Sequence, residues 1–201
     1  MSSGERPLSR RGLGRDVGLA LALVGCLASA CATAARFTTA DTATVDHLLT
    51  LIRQRLEVAP EVARTKWNSR APIEDPTREK QIVDDVAARA AEYGLDAHTA
   101  RSFFGAQIAA GKTVQSGLHA QWTSNRQPPF ARVADLGTDI RPTLDRLTPL
   151  MMRALADARP VLERRGSDRL LALESKTVLA NAPGGDAAVR QAVAPLLTFH
   201  R

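Results

Sequence analysis

The sequence is short of the side chains that usually carry covalent or metal chemistry. Among 201 residues there are two cysteines, Cys26 and Cys31, both within the first 31 positions. The four histidines, His47, His98, His119 and His200, follow no metal-ligand spacing. Aromatic residues make up 4% of the chain, and no aromatic ladder or basic tract interrupts the interleaved charges, so nothing points to nucleic acid. Alternating β-branched stretches are scarce. Alanine, leucine and arginine dominate instead, which favours helices over sheet. The length suffices for one domain with a real core.

The first 34 residues read as an export signal rather than as part of the fold. "MSSGERPLSRRGLGRD" holds four arginines, and the apolar, small-residue run "VGLALALVGCLASACATAA" follows. Ala32-Thr33-Ala34 fits a cleavage site. The apolar run is too interrupted for a membrane span. Ser9-Arg10-Arg11-Gly12-Leu13 resembles a twin-arginine signal. A rival reading takes Leu23-Val24-Gly25-Cys26 as a lipobox with a lipid anchor at Cys26. A cut after Ala34 leaves residues 35–201 as the mature domain, secreted or periplasmic and without cysteine. It also removes four Arg, Glu5 and Asp16, so the formal charge falls from +6 to +4. Such a domain holds together by core packing alone.

Periodicity predicts an all-α domain of five to seven helices. Val45, Leu48, Leu49, Ile52 and Leu56 recur at helical spacing from an N-cap at Asp41 to about Glu57. Pro60 predicts a kink, or the start of a short helix to about Asn68. Asp75-Pro76 is a strong helix start, and Gly94 suits the stop after Tyr93. Asp96 caps the next helix, to about Thr123, with Phe103, Phe104, Ile108, Val114, Leu118 and Trp122 on its apolar stripe. A connector leads to a helix over roughly 138–157, bent at Pro149. Pro160 begins another, to about Leu179, and "LERRGSDR" reads as a solvated turn. After "NAPGGD", Asp186 caps a last segment to about Thr198. Trp67, Trp122, Met151 and Met152 read as packing, and His119 as a pocket wall or surface residue.

One stretch resists this plain description. "RLEVAPEVARTKWNSRAPIEDPTRE", from Arg55 to Glu79, places fixed cations among apolar residues without a cysteine or histidine. Were the helix unbroken, the eleven residues from Arg55 to Lys66 would bring both to within about 20° of one face, roughly 16 Å apart. Arg78 sits in the first turn of its helix, where the dipole favours anions. Taken singly, each of these cations reads as a snorkelling surface residue, and Gln115 as an ordinary amide.

Their order is more telling. "RLEVAPEVARTKW", "PIEDPTREKQ", "LDAHTARSFFGAQI" and "IRPTLDRLTP" together resemble the all-helical chorismate mutases. With an export signal in front, the chain resembles the secreted subclass, over about residues 45–150, with 151–201 matching only as a helical tail. The resemblance implies an isomerase that converts chorismate to prephenate by an intramolecular Claisen rearrangement without a cofactor. It implies a protein that is commonly a homodimer, holds each active site within one chain, and has no membrane contact once the signal is removed. By position, Arg55, Arg78 and Arg141 would grip the two substrate carboxylates. Lys66 and Gln115 would approach the ether oxygen. Asp75 would lie at the pocket edge, and Glu79 would bind the substrate hydroxyl. Three features depart from the family: Gly111 stands where a hydroxyl residue is common, Ile82 where a polar Gln can stand, and a cysteine pair of the C-terminal half is absent. Thr113, about 200° away around the helix, cannot replace the hydroxyl. Two other readings stay open: pyruvate elimination from isochorismate on the same scaffold, and a non-enzymatic exported helical binding protein whose cations would point to different surfaces.

Overall fold

The computed structural model describes residues 37–199. The expected leader, its cut and both cysteines lie outside the described residues. The rest is all-α, as the periodicity predicts. Six helices follow in order: α1 Thr39–Ser69, α2 Pro76–Arg89, α3 Ala97–Ser124, α4 Arg141–Leu162, α5 Ser167–Val178 and α6 Gly185–Val193. No strand occurs among the described residues.

Helix α1 is one element, not two, and Pro60 lies inside it. A proline here removes the hydrogen bond to the Leu56 carbonyl and crowds the preceding turn. Packing outweighs that cost. Leu48, Leu49, Ile52, Leu56, Ala59 and Ala63 form a continuous buried stripe on both sides of the proline. The cap also differs from the expectation. Thr38 is the N-cap, and Asp41 is its capping-box partner three residues on. The helix ends at Arg70 in the left-handed conformation, φ 57°.

The same balance corrects the fourth helix. Both Pro149 and Pro160 lie within α4, because Met151, Met152, Leu155, Ala158 and Leu162 face the core along its whole length. The break falls instead at Gly166, which takes φ 89° ahead of α5. Asp186 is likewise not a cap. Gly184 is the N-cap of α6, without a side-chain cap, and Asp186 stands in the first turn. Gly184 has φ 80°, and a Cβ there would come within 2.8 Å of Val114. That close approach seats α6 against α3.

The caps of α2 and α3 agree with the sequence. The Asp75 carboxylate accepts from the Arg78 amide, Pro76 opens α2, and Gly94 takes φ 74° after a 3₁₀ turn over Ala90–Tyr93. Asp96 caps α3 through the Thr99 amide. Helix α1 packs against α3, α4 and α5, while α2 and α6 both pack on α3.

The connector from α3 to α4 is tied to α1. Asn68 donates from its amide to the Phe130 carbonyl at 2.8 Å and accepts from the Phe130 N–H at 2.9 Å. Thr65 donates to the Ala134 carbonyl at 2.6 Å. The Phe130 ring joins Trp122, Trp67 and His119 in an aromatic cluster. Asp135 then accepts from the Gly137 and Thr138 amides and starts a π-helical turn over Leu136–Ile140. That turn delivers Arg141 to the head of α4.

Candidate active site

A cavity of about 340 Å³ opens among α1, α2, α3 and α4. Each helix contributes a stripe at three- and four-residue spacing. Arg55, Ala59, Val62 and Lys66 come from α1. Arg78, Glu79, Ile82 and Val86 come from α2, with Asp75 at its cap. Gln107, Ile108, Gly111 and Gln115 come from α3, and Arg141, Leu144, Asp145 and Thr148 from α4. Because α1 is unbroken, the eleven-residue register between Arg55 and Lys66 survives Pro60. All eight residues singled out in the sequence, Arg55, Lys66, Asp75, Arg78, Glu79, Gly111, Gln115 and Arg141, line this one cavity. Thr113 does not: its hydroxyl turns to Gln191 of α6 at 2.7 Å. His119 lies outside the lining too, its Nε2 2.9 Å from the Ala63 carbonyl.

The cations differ in setting. Arg55 is 9% exposed, and burial lowers its pKa to about 10, well below the usual guanidinium range. Asp145 opposes that shift at a distance. Lys66 is half-buried. Its ammonium donates to the Ile73 carbonyl at 2.6 Å, which leaves two N–H groups for a ligand. Burial lowers its pKa, the Asp75 and Glu79 carboxylates raise it, and Lys112 lowers it again, with a net fall. Arg78 lies 3.7 Å from Asp145. Arg141 is exposed at the cavity mouth.

Two neutral groups complete the floor. Gln115 is 7% exposed. Its Nε2 donates to the Gly111 carbonyl at 3.1 Å, and its Oε1 is buried without a partner. That carbonyl can only accept, so the amide orientation follows, and one N–H remains free for a ligand. At Gly111 itself, an added Cβ would meet nothing within 4 Å.

A half-enclosed, apolar-floored cavity ringed by arginines, with an ammonium and an amide deeper in, is built for a small, compact polyanion. The chain is similar to known proteins. A family model described as chorismate mutase type II matches residues 42–116. The secreted chorismate mutase of Mycolicibacterium smegmatis is 30% identical over 157 residues, which span 76% of this chain and 83% of the relative. The chain belongs to the chorismate mutase family. The crystal structure of chorismate mutase from Burkholderia thailandensis aligns with a TM-score of 0.71 at 36% identity, over 76% of this chain and 98% of that one. The secreted chorismate mutase of Yersinia pestis shares the fold, with a TM-score of 0.59 at 21% identity over 75% and 94% of the two chains.

The glycine at position 111 yields a prediction. The open space at its Cβ accommodates Gly111→Ser. A serine is also the better helix former by roughly 0.5 kcal/mol. The new hydroxyl should lower KM for chorismate about 3–10-fold, the net worth of one ordinary hydrogen bond. Steady-state kinetics check this, and an unchanged or higher KM would count against a carboxylate near Gly111.

Sequence reading missed several charged groups at the cavity, Asp85, Arg89, Asp145 and Lys112 among them. Asp145 lies one helical turn after Arg141, a spacing that was available to see. Lys112 reaches Glu79 across 33 positions, which no local pattern reveals.

Proposed function

We propose that this cavity binds chorismate as a folded dianion and isomerises it to prephenate. The observation that carries the proposal is the convergence of Arg55, Lys66, Arg78, Gln115 and Arg141, drawn from four helices, on one cavity of a single chain. A binding protein that used its cations on separate surfaces would not have this geometry.

The chemistry explains why no nucleophile or general base was needed. In the rearrangement one C–O bond of the ether breaks while one C–C bond forms, within a single molecule and without proton transfer. Two things limit the rate: the rarity of the compact reactive conformer, and charge building on the ether oxygen. Arg55, Arg78 and Arg141 address the first. Their planar forks meet carboxylates with two hydrogen bonds each and hold the side chain over the ring. Orientation of this kind acts by populating the near-attack conformer. Lys66 and the free N–H of Gln115 address the second, as donors aimed at the oxygen that becomes negative. The Ile73 carbonyl fixes the ammonium in advance, so little reorganisation accompanies the reaction.

A continuous assay that follows chorismate loss and prephenate gain tests the reading. Pyruvate released from isochorismate, with chorismate untouched, would favour the lyase instead. The reaction should also depend on pH in a defined direction. The protonated Lys66 is the active form, and burial lowers its pKa from 10.5. The rate should therefore fall as pH rises, through a midpoint below that value. Lys66→Arg should push the alkaline limb up, as far as the value near 10 where Arg55 loses its charge. A wild-type rate that stays flat to about pH 10.5 would argue against a catalytic ammonium.

Export is part of the same proposal. The charged and apolar leader in residues 1–34 and the kinship with secreted chorismate mutases support it. So is pairing into a homodimer, which light scattering of the purified mature chain would test.

A further inference from the structure

Half of the ion pairs among the described residues are local. Arg53–Glu57, Lys80–Asp84 and Arg159–Glu163 each join residues one turn apart on one exposed helix face. The pair between Lys112 and Glu79 is different. It joins α3 to α2 at the cavity, its two side chains are 28% and 26% exposed, and the ammonium lies 3.0 Å from Oε2. The other carboxylate oxygen of Glu79, Oε1, accepts from the Asp75 N–H at 3.2 Å. Glu79 is thus held at both oxygens by groups from different parts of the chain.

We propose that Lys112 is a positioning residue for the reaction: with the Asp75 amide, it fixes Glu79 as an oriented and charge-compensated acceptor for the ring hydroxyl of the substrate. This rests on the reading of the cavity as a chorismate site.

The problem it solves is electrostatic. A cavity that receives a dianion cannot carry a bare, mobile carboxylate without repelling it. Glu79 also has three rotatable bonds, and a carboxylate that wanders would pair with Lys66, whose charge it already influences. The Lys112 ammonium offsets the charge and draws the carboxylate toward α3. Each carboxylate oxygen keeps a second lone pair, so acceptor capacity for a hydroxyl remains. Ile82, also in the cavity wall, has no polar atom to share the task. Glu74, 3.8 Å from the same ammonium, adds a weaker contact that keeps Lys112 at this edge.

The test compares two substrates: chorismate, and an analogue with the ring hydroxyl replaced by hydrogen. The readout is the ratio of their kcat/KM values, in full-length wild type, K112M and K112R. In K112M the ratio should fall about 5–10-fold, the worth of one misplaced hydrogen bond. K112R, which keeps a cation in reach of Glu79, should restore most of it. If Lys112 merely tied α2 to α3, both substrates would suffer alike and the ratio would not move. An unchanged ratio in K112M overturns the proposal. Should K112M fail to fold, K112Q supports the same comparison. Wild-type protein that leaves both substrates at the background rate removes the underlying reading instead. An active wild type with an unmoved ratio in the variant removes only the role of Lys112.

Discussion

Lys66→Ala should lower kcat for chorismate by about 10²–10³ while the melting temperature stays within about 2 °C. The ammonium is half-buried, and its contact with the protein is one hydrogen bond to the Ile73 carbonyl, so the fold loses little. The transition state loses a preorganised donor, typically worth ~3–4 kcal/mol where charge develops. The partner donor, the Gln115 amide, is anchored on the Gly111 carbonyl and cannot move over to compensate. KM should change far less than kcat, because the carboxylates are held by other residues. Rapid-quench or spectrophotometric rates decide the matter. A loss below about tenfold would mean that Lys66 binds substrate without stabilising the reacting oxygen.

Arg55→Met should move activity and stability in opposite directions. Arg55 is 9% exposed in the cavity wall, with Asp145 as its long-range counter-charge. Burial lowers its pKa from 12.5 to about 10, so the charged form is the one that burial disfavours. The sign follows directly. At any pH below about 10 the guanidinium is charged and the full cost falls on the folded state; the cost fades as pH climbs from there toward 12.5. An apolar side chain of similar length removes it. We expect the substrate-free variant to gain about 1–3 kcal/mol, or roughly 3–10 °C in Tm near neutral pH. We expect kcat/KM to fall by about 10³ or more, since two charge-assisted bonds to a carboxylate vanish. Thermal melts with and without saturating ligand, beside steady-state rates, check both halves. A variant that is inactive and also less stable would mean that Arg55 is a structural residue.

How much of this could be read from the chain depends on whether the determinant is local. The caps of α2 and α3 were legible because Asp75-Pro76, Gly94 and Asp96 act on their own turns. Pro160 was misleading for the converse reason, and Pro60 left two readings open. Pro60, Pro149 and Pro160 each remove one backbone bond, and only the buried faces of α1 and α4 decide whether the helix continues. Asp41 and Asp186 look like caps by type, yet Thr38 and Gly184 hold those places. The cations of the cavity were individually unremarkable. Their order matched a family pattern, and that match, not periodicity, singled them out. Lys112 escaped notice because its partner lies on another helix.

The cavity wall is drawn from one polypeptide, and this has a consequence for where such a catalyst can operate. A site shared between subunits has an assembly constant, and its activity declines once the protein is thin enough in solution. Here the described wall residues all belong to one chain, so we expect the turnover of each molecule to be independent of how many neighbours it has. On the proposed reading, dilution after export would then leave the specific activity unchanged.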